Sequence, residues 1–600
     1  MKIKLALANR ETLAAIGCAR YEVYVTELGQ YEARDDRSLT DAGDVESTYI
    51  VATVDGKMVG FVGITPPTSA RFSLEKHLHR DAIPFPFDEH LFEVRTLTVL
   101  RPFRGSSIAS ALMYAAFRWV ESHGGTRIVS IGRREVLDMY LEVGLEKVGL
   151  SCASGSVTYE LLSGKVEHIR EQLKRFEVRL RQMEETLDWQ VGVSFYPPSE
   201  CYHGGAFFDA IGNEFDDLGR TKTIINADVL DAWFPPSPRV MQGLREQLDW
   251  AARTSPPTHA EGLVRTIARV RGVDPSCVLA AGGSSALIFL ALRQWLRPSS
   301  RVLLLDPTYG EYAHVLENVI RCKVERVTLQ RKDGYRIDVA QLARELANEY
   351  DLFIWVNPNN PTGQHVPRAV VEELLQCTPR NTRIWLDETY IDYVGPNESI
   401  ELMASASDNV VVCKSLSKAY ALSGLRVGYL CGPPHIVEEL RVLAPPWSVG
   451  LPSQIAATYA LQDGAYYAAR HSETRELRRQ LAADLKNIGV AEIIPSVANF
   501  LMFHLPDAGV DTRTVVRTCR RQGLFLRDIS NMGSSLGNHA VRIAVKDWAT
   551  NQHMISILRG AIHGIDTLDH ELPARLVQMS TNETRKLPQD KRILFTESAH

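Results

Sequence analysis

Apolar and polar positions alternate in different rhythms along the chain, and the changes of rhythm divide it into four parts. Residues 1–163 mix short β-rich runs, at Thr48–Val54, 58–64 and 92–99, with amphipathic helical stretches. Between 164 and 190 the apolar residues Val166, Ile169, Leu173, Phe176, Leu180, Met183 and Leu187 fall three and four apart, with Glu, Arg, Lys and Gln filling most of the positions between. That is an a/d seam through three heptads, and it predicts a connector helix over 164–190. Such a seam suits either a helix packed on a neighbouring domain or one that pairs within a dimer, and spacing leaves both open. From 191 to 570, apolar runs alternate with helical patterns, which predicts an α/β domain with a mostly parallel sheet. The charged stretch 571–600 reads as a disordered tail.

At 600 residues the chain exceeds what one core organises, in keeping with several domains. Its 45% hydrophobic and 23% charged residues exclude wholesale disorder. Lys and Arg number 67 against 72 Asp and Glu, a balance that argues against a nucleic-acid partner. The uncharged stretch 442–462 is interrupted by Pro445, Pro446 and Pro452, so no membrane span is expected. Asn9, Arg10 and Glu11 come before any apolar run long enough for a signal peptide. The nine cysteines lack metal-ligand spacing and a CxxC pair, which points to a cytoplasmic chain without a metal site.

Four segments of the large domain carry chemistry, each where a buried strand is expected to end. Val278–Ala281 leads into Gly282-Gly-Ser-Ser285 and an apolar helix, and a Gly/Ser turn opening a helix aims free N–H groups at an anion. Leu352–Val356 runs into Asn357-Pro-Asn-Asn-Pro-Thr-Gly363. The run 383–386 delivers Asp387, with Thr389 and Tyr390 behind it, and 409–413 delivers Ser415-Leu-Ser-Lys418, with Arg426 eight residues on. A further run, 301–305, precedes Asp306-Pro-Thr-Tyr-Gly310. In open α/β sheets ligands collect at the carboxyl ends of strands.

In this order these segments closely resemble the fold-type I pyridoxal-phosphate enzymes, and among them class I/II aminotransferases of the histidinol-phosphate aminotransferase kind, over roughly residues 220–560. The resemblance implies pyridoxal 5′-phosphate as cofactor and a mostly parallel sheet with a smaller α+β subdomain. Lys418 would form the internal aldimine and then move the proton at the substrate's α-carbon. Asp387 would keep the ring nitrogen protonated. Asn360 and Tyr390 would bond the ring oxygen, and Tyr309 would stack on the ring. Ser284, Ser285, Ser415 and Arg426 would hold the phosphate. Arg542 would pair with the substrate α-carboxylate, with Asn499 as a second contact. One departure is Leu230-Asp-Ala-Trp-Phe-Pro-Pro-Ser-Pro238, where the family has an Asn-rich segment. Ala232, Trp233 and Phe234 there imply either a larger, flatter amino-acid substrate or drift in a loop.

Residues 1–163 resemble the GNAT acyltransferase fold, in its acyl-homoserine-lactone and acyl-amino-acid synthase branch. Arg20–Gly29 looks like its opening helix, 92–99 like its central strand, and Arg104-Gly-Ser-Ser-Ile-Ala109 like its pyrophosphate turn. The resemblance implies acyl-CoA or an acyl-carrier protein as donor, Tyr140 as the proton donor to the departing thiolate and Glu93 as a weaker choice for the base. Ser107 replaces a small residue in the turn, so a structural or docking role is the alternative.

The expectation is an aminotransferase acting on a small amino acid, assembled as a homodimer and serving specialised metabolism. Two alternatives stand beside it. One is decarboxylation or β/γ-elimination or replacement, including on S-adenosylmethionine, and the other is a non-catalytic assembly protein.

Overall fold

The apolar runs of the C-terminal half become strands because both of their faces are covered. In the computed structural model, which describes residues 3–197, 203–215, 218–506 and 511–564, the chain forms two units, 1–199 and 200–600. In the second, Arg301–Asp306, Leu352–Val356, Arg383–Asp387 and Val410–Ser415 lie parallel. Leu303, Leu305, Phe353, Trp355, Ile384 and Leu386 enter one core. Val302, Leu304, Ile354, Val356 and Trp385, their neighbours in sequence, enter another. A strand buried on both faces reads as a continuous apolar run.

The sheet has seven strands in the order Val278–Ala281, Gly428–Cys431, Val410–Ser415, Arg383–Asp387, Leu352–Val356, Arg301–Asp306, Lys323–Thr328. Gly428–Cys431 is antiparallel to both neighbours. A smaller antiparallel sheet follows, in the order Glu492–Ile494, Phe500–His504, Ala540–Ala544, Arg527–Asp528. The segment before the large helical region is laid along this sheet, since the Ala544 amide donates to the Ala227 carbonyl at 3.0 Å.

The first unit is built on eight strands, β1 (Ile3–Leu7), β2 (Thr48–Val54), β3 (Lys57–Thr65), β4 (Leu91–Val99), β5 (Arg127–Arg133), β6 (Glu146–Ser154), β7 (Val157–Lys165) and β8 (Leu187–Gln190). They lie in the order β6-β7-β5-β4-β3-β2-β1-β8, with helix Ile108–Ser122 packed on one face.

The continuous connector helix expected over 164–190 does not form. Helix Val166–Leu173 gives way to a 3₁₀ turn at Lys174–Phe176 and a second helix, Glu177–Thr186. Leu187–Gln190 then pairs parallel with β1. Val166, Ile169, Leu180, Met183 and Leu187 are buried in the core of the first unit, with Leu173 packed against them. The seam therefore has a partner within its own unit. An unbroken helix at 1.5 Å per residue would run about 33 Å, long for a small domain, and the break keeps both halves on the core. The tail 571–600 lies outside the described residues.

Replacing Leu180, 8% exposed, by Ala should cost the first unit about 2–5 kcal/mol. Denaturant unfolding should show the loss in that unit's transition, with the transition of the second unit in place. An unchanged first transition would contradict this packing.

Candidate active site

Asp387 ends its strand buried, 3% exposed, on the same face as Trp385. Its Oδ1 accepts from the Thr389 amide at 2.9 Å and its Oδ2 from the Tyr312 hydroxyl at 2.7 Å. Tyr312 in turn accepts from Trp385 Nε1 at 2.7 Å, so a buried relay sets the carboxylate. Burial pushes the Asp387 carboxyl up, against the pull of these donors. No cation pairs with it among the described residues.

Lys418 sits in the one-turn helix Leu416–Ala419. Its carbonyl accepts from the Tyr393 hydroxyl at 2.9 Å, and His471 Nε2 lies 2.8 Å from the next carbonyl, so the backbone is braced. Its Nζ reaches Asp231 Oδ1 at 2.9 Å, with both side chains partly open to the cleft. Burial opposes ionisation of Asp231, yet Lys418 and Ser423 outweigh it and hold the carboxyl below the usual range.

Gly283 has φ +97°, and a Cβ there would meet Arg426 Nη2 at 2.7 Å. The backbone can come this close only without a side chain, and helix Ser284–Trp295 starts at that point. Arg426 Nη1 donates to Ser417 Oγ at 3.4 Å and to the Ser423 carbonyl at 3.1 Å. Ser415 caps the lysine helix by accepting from the Ser417 amide at 3.3 Å. Ser285 donates to Glu311 at 2.9 Å, placing an acid beside the turn.

Arg542, 5% exposed, donates from Nη1 to Asn360 Oδ1 at 2.7 Å and from Nη2 to the Asp228 carbonyl at 3.0 Å. Its Nε has no hydrogen-bond partner among the described residues. Burial lowers its pKa to about 10. Asn499 donates to the Leu230 carbonyl at 2.9 Å and its Oδ1 is unpartnered among the described residues. Tyr390 packs edge-on against Phe500, centroids 5.2 Å apart. Tyr309 and Arg542 line one cleft of about 710 Å³, and the Tyr309 hydroxyl lies 3.3 Å from His203 Nδ1.

Sequence reasoning missed Tyr312, Glu311, His203 and Asp231. Tyr312 lies three residues after Tyr309, a spacing that puts both on one helical face. Asp231 stood in the altered stretch 230–238, where attention fell on the aromatics. Those aromatics serve packing, since Phe234 is 2% exposed and Trp233 Nε1 donates to Thr474 at 2.9 Å. The stretch offers the cleft its carboxylate.

These residues fit pyridoxal phosphate. Asp387 is a buried acid without a cation, Arg542 a buried cation without a carboxylate, and the Gly283 turn beside Arg426 an anion cradle. Residues 226–558 match the family described as Aminotransferase class I and II. The chain belongs to the class I and II aminotransferases. A histidinol-phosphate aminotransferase of Rhodopseudomonas palustris (strain BisA53) is 28% identical over 330 residues, 54% of this chain and 88% of that protein. One from Paramagnetospirillum magneticum is 30% identical over 328 residues, again 54% and 88%. The solved structure of histidinol-phosphate aminotransferase from Sinorhizobium meliloti in complex with pyridoxal-5′-phosphate superposes with TM-score 0.54 at 22% identity, covering 61% of this aminotransferase and 96% of that chain.

Residues 15–144 of this aminotransferase match the acetyltransferase (GNAT) family. A cleft of about 440 Å³ in that unit is lined by Arg20, Tyr24, Arg95, Arg104, Gly105 and Tyr140. Arg95 Nη2 and Asp44 Oδ1 meet at 2.9 Å, and Tyr49 bonds both arginines and Asp44. Burial pushes the Tyr140 hydroxyl up to about 12, so it keeps its proton. Glu93 is a poor base, because it accepts from the Ser73 amide, the Ser73 hydroxyl and the Leu74 amide.

Immediately after Asp387, Glu388 enters a buried cluster. Lys414 Nζ lies 3.2 Å from Glu401, 3.6 Å from Asp392 and 3.7 Å from Glu388, and Arg271 lies 3.3 Å from Asp392. Three carboxylates face two cations, and burial raises Glu388 from 4.5 to about 7. A carboxyl raised on folding favours the folded state below its unfolded value and loses that contribution as pH climbs through its folded value. For Glu388 the window runs from 4.5 to about 7. Unfolding midpoints measured from pH 5 to pH 8 should fall less in Glu388→Gln than in the unaltered protein. Equal slopes would place the shared proton elsewhere.

Proposed function

We propose that the chain is a pyridoxal-phosphate-dependent aminotransferase acting on an amino acid at the cleft that holds Lys418 and Arg542. The observation that supports this most is the joint placing of Asp387, Lys418, Arg426 and Arg542 at strand ends within a class I and II aminotransferase fold. When bound, the cofactor supplies the electron sink for the pair left at the substrate's α-carbon. Asp387, aimed by Tyr312 and Thr389, holds the proton on the ring nitrogen. The N–H groups at Ser284 and Ser285 hold the phosphate, together with Ser415 and Arg426. Tyr309, Asn360 and Tyr390 bound the ring. Arg542 clamps the α-carboxylate, Asn360 keeping its guanidinium in plane, while Asn499 offers a second contact. Lys418 tethers the cofactor and moves the proton at the α-carbon.

The cleft of about 710 Å³ has room for a substrate longer than a small amino acid. The first unit takes an acyl donor, acyl-CoA or an acyl-carrier protein, a reading supported by the left-handed turn at Gly105 and the protonated Tyr140. A cytoplasmic homodimer in specialised metabolism is the setting proposed, and no described helix is long and apolar enough to cross a membrane.

Lys418→Ala should lose the visible absorption of bound cofactor and at least about 10²-fold in turnover. Spectra and steady-state assays check this, and a variant that keeps both would refute the reading. Mass spectrometry after incubation with pooled amino acids and a 2-oxo acid should show keto-acid formation matched to amine transfer. Loss of carbon dioxide or of a side-chain group in its place would favour the alternatives.

A further inference from the structure

Lys546 and Asp231 face the reactive lysine from two different segments, and nothing so far gives either a role. Lys546 follows the strand that carries Arg542 by four residues. Its backbone is clamped on both sides by one side chain: the Lys546 amide donates to Asn551 Oδ1 at 2.9 Å, and Asn551 Nδ2 donates to the Lys546 carbonyl at 2.7 Å. The amide before it, Val545, donates to the Asn499 carbonyl at 2.9 Å. Asp231 is brought to the same place by bonds from this sheet to the segment before it. Those bonds run from Ala544 to the Ala227 carbonyl, from Arg542 to the Asp228 carbonyl and from Asn499 to the Leu230 carbonyl.

Three charged groups act on the Lys546 ammonium, namely Asp231, Lys418 and Asp547. Asp547 is committed to capping the last helix, accepting from the Thr550 amide at 3.0 Å and the Thr550 hydroxyl at 2.6 Å. Asp231 is thus the acid that Lys418 and Lys546 share.

An amino acid reaches the site as an ammonium, which is no nucleophile, so its nitrogen must lose a proton before it can react. Lys418 is engaged, by Asp231 in this structure and by the cofactor in the reading above, on which this inference rests. We propose that Asp231 docks the incoming α-ammonium and that Lys546, as the free amine, takes its proton. One N–H bond breaks on the substrate and one forms on Lys546 Nζ. The new Lys546 ammonium is balanced by Asp231, and its proton passes to water before the next turnover. A base works best when its pKa lies near the working pH. Burial lowers Lys546 to about 8, with Lys418 adding to the shift and Asp231 opposing it.

The test treats the full-length protein with pyridoxal 5′-phosphate and borohydride and maps the labelled peptides by mass. The unaltered protein should carry the label on Lys418. Lys418→Ala should carry it on Lys546, in an amount that rises with pH through about 8. No enrichment of Lys546 over surface lysines in that variant would overturn the proposal. Kinetics supply the second arm. Lys546→Met and Lys546→Arg should each lower kcat/KM by about 10²-fold and remove the limb near pH 8, because Arg keeps the charge but releases no proton. Wild-type kcat/KM in Lys546→Arg, with Lys418 labelled normally, overturns the proposal alone. A label that misses Lys418 in the unaltered protein overturns the cofactor reading, and the proposal with it.

Discussion

Two buried charges of opposite sign, Asp387 and Arg542, are each held by neutral partners and kept from any counter-ion among the described residues. Burying a charge is costly unless it is paired and hydrogen-bonded. Asp387 is propped by a tyrosine hydroxyl and a backbone amide, and Arg542 by an amide oxygen and a carbonyl. Such an arrangement suits a ligand that brings a cation to one and a carboxylate to the other. The parallel sheet makes it possible, because strands covered on both faces hold their last residues rigidly at one edge.

Elsewhere the same chain pairs its buried charges internally. Arg20 and Arg95 are closed by Asp44 and Asp41, and Lys414 and Arg271 by Asp392, Glu388 and Glu401. In those clusters the partners lie within the protein, and they serve its shape. The contrast marks the cleft of Arg542 and Asp387 as the place built for something that comes from outside. Lys418 is intermediate, paired to Asp231 but still partly open.

Much of this was legible in the sequence, for physical reasons that differ by element. Leu352–Val356 reads as a strand because five consecutive apolar residues have no polar face to spare, and its end marks the site because ligands gather there. The turns at Gly283 and Asn360 carry local chemistry that spacing preserves. The 166–187 seam misled, because three-four spacing describes any buried helical face and cannot register that Leu187–Gln190 pairs with the first strand. Asp231 lies 187 residues from Lys418, and their meeting depends on how the small sheet lays one segment against another. Tyr312 was hidden in the same way, since its value comes from reaching Asp387 across 75 residues.

Calorimetric titration of the full-length apo-protein with pyridoxal 5′-phosphate, alongside Asp387→Asn, tests the central claim most directly. The account predicts one cofactor bound per chain and an affinity weakened on the order of 10²-fold in Asp387→Asn, because a buried charge loses its partner. Thermal unfolding of the apo variant serves as the control for its fold. Equal affinities in a folded Asp387→Asn protein would contradict the claim.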